Sequence, residues 1–102
     1  MTLDAIKTLL VTADPDIRHY FTMSTADAYS YWEETRRLPF TADDRHSEAW
    51  HFYVHRFTKT EGDSTAALLF STLDGNDGIT VSWVTGYDHE SGYIHHIFEC
   101  EG

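Results

Sequence analysis

Hydrophobic and polar positions alternate most regularly over Glu48–Thr58, Glu-Ala-Trp-His-Phe-Tyr-Val-His-Arg-Phe-Thr. Successive side chains of a strand point to opposite faces. Trp50, Phe52 and Val54 therefore share one face, and His51, Tyr53, His55 and Phe57 share the other. The first set is wholly apolar and the second is mixed. That pattern predicts a central strand with one face in the core and the other partly covered, and aromatic and β-branched residues suit such a surface.

Two segments change period from two to 3.6. Leu3, Ile6, Leu9, Leu10 and Ala13 recur at helical spacing and predict a helix over Leu3–Ala13. Thr2 is its N-cap, Asp4 complements the dipole in the first turn, and Asp14-Pro15 ends it because a residue before proline avoids the α region. Ala66, Leu69, Phe70 and Leu73 form a second amphipathic stripe and predict a helix over Ser64–Asp74. Asp63 or Ser64 caps its start, and Gly75 reads as a left-handed C′ residue at its end.

The remaining segments alternate as strands. Ile17–Met23 predicts a short one, Ser24–Ala28 a turn, and Tyr29–Arg36 a second strand with Tyr29, Tyr31, Glu33 and Thr35 on one face. Ile79, Val81 and Trp83 open a closing hairpin, Gly86–Gly92 is its turn, and Tyr93–Glu99 its return strand, with Ile94, His96, Phe98 and Cys100 on one side. Arg37–Ser47 is the longest irregular segment, broken by Leu38-Pro39, and a loop of that length is either mobile or functional. The order α-β-β-β-α-β-β predicts a two-layer α+β domain, residues 1–102, with two helices on one face of an antiparallel sheet of about five strands. Trp50, Phe52, Val54, Leu69, Phe70, Leu73, Val81 and Trp83 are its expected core, together with the first helix.

Composition narrows the function more than the fold. A chain of 102 residues, 41% hydrophobic and 15% aromatic, fits one folded domain rather than a disordered chain. It has no bilayer-spanning apolar run and no basic-then-apolar leader, so a soluble protein retained in the producing cell is expected. The formal net charge of −10 argues against a sequence-independent grip on nucleic acid and against docking on anionic lipid. It permits a basic partner, a channel that repels nucleic acid, mimicry of nucleic acid, or plain solubility.

Candidate chemistry is sparse. Seven histidines raise the question of a metal, but zinc needs ligands that converge. His95 and His96 are adjacent in a strand and diverge, while His51 and His55 share a face about 13 Å apart at the strand rise. No His-Glu-x-x-His motif, cysteine pair, Gly-x-Ser-x-Gly elbow or glycine-rich phosphate loop is present. Cys100 is the single cysteine and lies near the end of the chain. Asp74–Gly78 resembles a fragment of a calcium loop, and a helix cap followed by a turn explains it fully. No catalytic, cofactor or metal residue is assigned, and a non-enzymatic protein is expected.

The segments Tyr31-Trp32-Glu33-Glu34, Phe40-Thr41-Ala42-Asp43-Asp44, Trp50-His51-Phe52-Tyr53-Val54 and Phe57-Thr58-Lys59, with Gly78-Ile79 and Tyr93–Glu99 in the closing hairpin, resemble small tail-completion or tail-terminator proteins of phages and prophages of Gram-positive bacteria. The resemblance covers most of the chain. It implies no enzymatic activity and no cofactor. It implies a ring of identical subunits that caps the tail tube at the head-tail junction, made in the bacterial host cytoplasm and carried in the virion, with tube and connector proteins as partners. An acidic lumen would let such a ring pass DNA without gripping it. Phe40, an apolar ring among polar neighbours, with Asp43, Asp44 and Arg45, is the expected protein interface. Two other readings are a small acidic anti-defence inhibitor that imitates nucleic acid, and an α+β binding module of unknown ligand. In the inhibitor, Glu33, Glu34, Asp43, Asp44, Asp88, Glu90, Glu99 and Glu101 would be the mimic groups.

Overall fold

The computed structural model describes residues 1–39 and 48–102. Helix α1 spans Leu3–Ala13, and the Thr2 hydroxyl accepts from the Ala5 N–H at its start. Ile6, Leu10 and Ala13 are buried at i, i+4 and i+7, one stripe of the helix. Helix α2 spans Ser64–Asp74, with Asp63 as N-cap accepting from the Ala66 N–H, and buries Ala66, Leu69 and Leu73. Both helices have the predicted bounds.

The end of α2 differs from expectation. Gly75 has φ −76°, an ordinary right-handed value, so it is not a left-handed cap. Its N–H donates to the Ser71 carbonyl, and a Cβ there would lie 2.9 Å from that oxygen. Close approach of backbone, and not positive φ, is what favours glycine at this turn.

The strands are β1 (Arg18–His19), β2 (Ala28–Arg37), β3 (Trp50–Thr58), β4 (Thr80–Tyr87) and β5 (Ile94–Glu101). Together they make one sheet in the order β1-β2-β3-β5-β4. This is the expected α+β order with a sheet of five strands. The β2-β3, β3-β5 and β4-β5 pairs are antiparallel, whereas β1 runs parallel to β2, so the sheet is mixed. The chain leaves β1 through Tyr20–Asp27 and comes back to start β2 in the same direction.

β1 is also much shorter than Ile17–Met23. Tyr20 takes φ +75°, a left-handed conformation that ends the extended run. Its side chain and that of His19 are held by β2: His19 stacks on Trp32 at 3.9 Å, and both His19 and Tyr20 bond the Glu34 carboxylate.

The core lies between the helices and one sheet face. Ile6, Leu10, Trp32, Phe52, Val54, Leu69, Leu73, Phe98 and Cys100 are essentially inaccessible. Phe52 and Val54 take the predicted side, while Trp50, Phe70 and Val81 are half-buried against the cluster. Trp83 is a correction. It stands 39% exposed because β4 is an edge strand.

Arg56 continues the core-facing row of β3 as a buried cation. It donates from Nε to Asp63 at 2.9 Å and from Nη1 to Ser30 at 3.1 Å, and lies 3.6 Å from Asp14. One side chain thus ties the end of α1, the start of α2 and strand β2. Burial pushes the Asp63 carboxyl up, but the hydrogen bonds from Arg56 and the Ala66 N–H outweigh it and hold the group below its ordinary value.

Candidate functional site

Among the described residues, no helix packs on the second face of the sheet. The core cluster draws its residues from the helix side alone. Strand parity puts Tyr29, Tyr31, Glu33 and Thr35 of β2 on the open side, with His51, Tyr53, His55 and Phe57 of β3 and His95, Ile97, Glu99 and Glu101 of β5. Tyr93, just before β5, joins them.

The rings form a continuous stack across three strands. Phe57 stacks on His95 at 4.0 Å and on Tyr29 at 4.9 Å, and Tyr31 stacks on His55 at 4.5 Å. Tyr93 stands edge-on to Tyr29 and Phe57. Its hydroxyl donates to the carbonyls of Ser24 and Ala26, pinning the segment that leads into β2. Phe21, 67% exposed, meets the edge of Tyr31. Aromatic pairs of these geometries add to simple burial.

Two polar groups are set into the stack. In the first, His55 Nε2 lies 3.2 Å from the Glu33 carboxylate and His55 Nδ1 lies 2.9 Å from His95 Nε2. A carboxylate only accepts, so in the neutral pair His55 Nε2–H donates to Glu33 and His95 Nε2–H donates to His55. In the second, His51 Nε2 and the Tyr53 hydroxyl both reach Glu99 Oε2, at 3.2 and 3.0 Å. The Tyr53 hydrogen bond, then the one from His51, holds the Glu99 carboxyl below its usual value.

Burial lowers His95 from 6.5 to about 4, helped by the neighbouring His55 and His96. The unfolded chain therefore binds more protons than the folded one between those values. This contribution is complete above pH 6.5 and is lost as pH falls toward 4. His96, lowered chiefly by burial, acts in the same direction. His95→Phe is expected to remove about 1–2 kcal/mol of the acid destabilisation, a value reduced for the ring's partial exposure. Thermal melts of both proteins at pH 7 and pH 5 check it, and equal losses in the two would mean His95 is solvated.

The expected separation of the histidines holds. His51 and His55 belong to different groups, and His95 and His96 lie on opposite faces. Among the described residues, no three His, Cys, Asp or Glu side chains converge as a metal site. Cys100, though near the end of the chain, lies within β5. It is 1% exposed on the helix side, its thiol pushed up to about 12 by burial and by Glu99, which leaves it unreactive as a nucleophile. Glu33 and Glu34 point to opposite faces and each bonds a histidine, an arrangement unlike a row of free phosphate mimics. Phe40, Asp43, Asp44 and Arg45 lie outside the described residues.

Sequence reasoning found each row of this face but not the cluster. Parity within β2, β3 and β5 was readable. That β5 rather than β4 lies beside β3, bringing His95 to His55, depends on strand order and had no local signal.

No family model matches the chain, and no curated protein matches it. Six chains of solved structures do. One belongs to the "Virion of native gene transfer agent (GTA) particle", at 10% identity and a TM-score of 0.46, covering 97% of this chain and 85% of that chain. An overlap of that quality says nothing of what either chain does.

Proposed function

We propose that the chain is a non-enzymatic structural subunit of the tail-completion or tail-terminator kind, which joins neighbouring protein subunits through the uncovered face of its sheet. The open aromatic face carries this reading: Tyr29, Tyr31 and Phe57 in stacked pairs, with Tyr93 edge-on, around the Glu33–His55–His95 group, and no helix of the described residues over it. A helix-backed sheet is rigid, and the rings on its second face, with Tyr31 buried and Tyr29, Phe57 and Tyr93 half-buried, are already ordered by their own stacking, which lowers the ordering cost of a contact there. The phage tail part of the reading is supported by the residue patterns from Tyr31 to Lys59 and in the closing hairpin. Subunits would form a ring at the head-tail junction, made in the host cytoplasm and retained in the virion. Copies of itself, tube proteins and connector proteins are the partners. Following the resemblance, the acidic surface would face passing DNA without holding it, a use that the net charge of −10 permits.

Native mass and negative-stain images over a concentration series, alone and with purified tail tubes, test the reading. Rings or tube-bound caps are expected. Ile97→Lys, a charge in the middle of the face, is expected to weaken assembly on the order of 10-fold or more while cooperative unfolding persists. Normal assembly of that variant would remove the face as the interface. A chain that neither rings nor binds tubes would end the tail-completion reading. Phe40, Asp43, Asp44 and Arg45 are proposed as a second contact, and Asp43→Lys with Asp44→Lys should likewise weaken assembly.

A further inference from the structure

We infer that the free edge of β4 pairs with β4 of a second copy, antiparallel about a two-fold axis at Val84, so that two sheets become one. The edge is long. Among the described residues, Thr80–Tyr87 is an eight-residue strand bonded on one side only, to β5. Natural edge strands are blunted by charge, proline, bulges or shortness. The opposite edge of this sheet obeys the rule, since β1 has two residues. β4 reads Thr-Val-Ser-Trp-Val-Thr-Gly-Tyr, with no charge and no proline, and Trp83, Val84 and Tyr87 are 39, 62 and 58% exposed.

The hydrogen-bond phase fixes a register. The Asp88 N–H donates to the Tyr93 carbonyl across the hairpin. In an antiparallel ladder bonded residues alternate, so the even-numbered residues of β4 bond β5. Val81, Trp83, Thr85 and Tyr87 then turn their N–H and C=O groups outward. A two-fold axis at Val84 sets Trp83 opposite the partner's Thr85 and Val81 opposite the partner's Tyr87, and satisfies all of these groups at once. It also makes aromatic–β-branched cross-strand pairs, which stabilise sheets.

A second copy is the occupant for two reasons. The register is self-complementary, and an uncharged strand offers no charge pattern that would select a different protein. A chain of net charge −10 also meets its own copy most easily where charge is absent. In this register the Asp88 carboxylates fall at opposite ends of the paired segment. The axis runs normal to the sheet, so both open faces look the same way and form one doubled surface. This contact uses backbone edges and is independent of the proposal for the face.

Sedimentation of the wild type from micromolar to millimolar concentration, with hydrogen exchange of the β4 amides, tests it. A dimer, or an even-numbered assembly of such dimers where the face contact also forms, is expected, with Val81, Trp83, Thr85 and Tyr87 amides protected in it. Val84→Lys places like charges at the axis and should weaken the dimer on the order of 100-fold. General electrostatics predicts the opposite, because the variant is less negative. Val84→Thr should dimerise like the wild type, and an equimolar mixture of Val84→Lys and Val84→Glu should recover a heterodimer. A wild type that stays monomeric throughout, freely exchanging edge amides, or a Val84→Lys dimer as tight as the wild type would each overturn the inference.

Discussion

Replacing Phe52 by alanine is expected to lower the unfolding free energy by roughly 3–5 kcal/mol, the range for truncating a buried aromatic. Phe52 is wholly buried on β3, the middle strand of the sheet, edge-on to Trp32 and paired with Glu34 on β2 and Cys100 on β5. Strands hold it from both sides and helices from above, so the site has little freedom to collapse into the space left behind. Denaturant unfolding by fluorescence measures the loss, and half-buried Trp50→Ala serves as a milder comparison. A loss below about 1 kcal/mol would mean that the two faces of β3 are inverted, since a one-residue slip exchanges them.

Arg56→Met is expected to be about as damaging, roughly 3–5 kcal/mol, for an electrostatic reason. The side chains of Arg56, Asp14 and Asp63 are each only about a tenth exposed (10, 9 and 11%). Methionine fills similar space but leaves two carboxylates buried without their cation. Asp63→Asn retains a capping side chain for α2, so adding it to Arg56→Met should recover part of the loss. The recovery separates uncompensated charge from lost packing. Equal stability of the wild type and Arg56→Met would show the group to be solvated.

What the sequence could and could not reveal follows from the range of each interaction. Both helices were legible to the residue because their signals are local: a Thr or Asp cap, a 3.6-residue stripe, and Pro15 just past the first end. Gly75 was found for the wrong reason, since a glycine after a helix signals an ending without saying which backbone conformation needs it. Alternation over Ile17–Met23 said nothing of where pairing stops, and the left-handed Tyr20 stopped it after two residues. Trp83 has the right parity for the core, but only strand order tells that β4 is an edge. Arg56 shares the parity of Phe52 and Val54, so its burial was readable. Its partners Asp14 and Asp63 are joined to it only by the packing of both helices. The same limit hid the site: face assignments were legible, and the meeting of His55 with His95 was not.

The burial of Cys100 makes the chain a reporter of its own opening. As the single thiol, completely enclosed and held protonated, it is shielded from aqueous thiol reagents while β5 stays in place between β3 and β4. Each modification event therefore records a separation of the central strands. Labelling speed measures the free energy of that separation under native conditions, without denaturant. Any neighbour that clamps the sheet slows labelling by the factor it adds to that free energy.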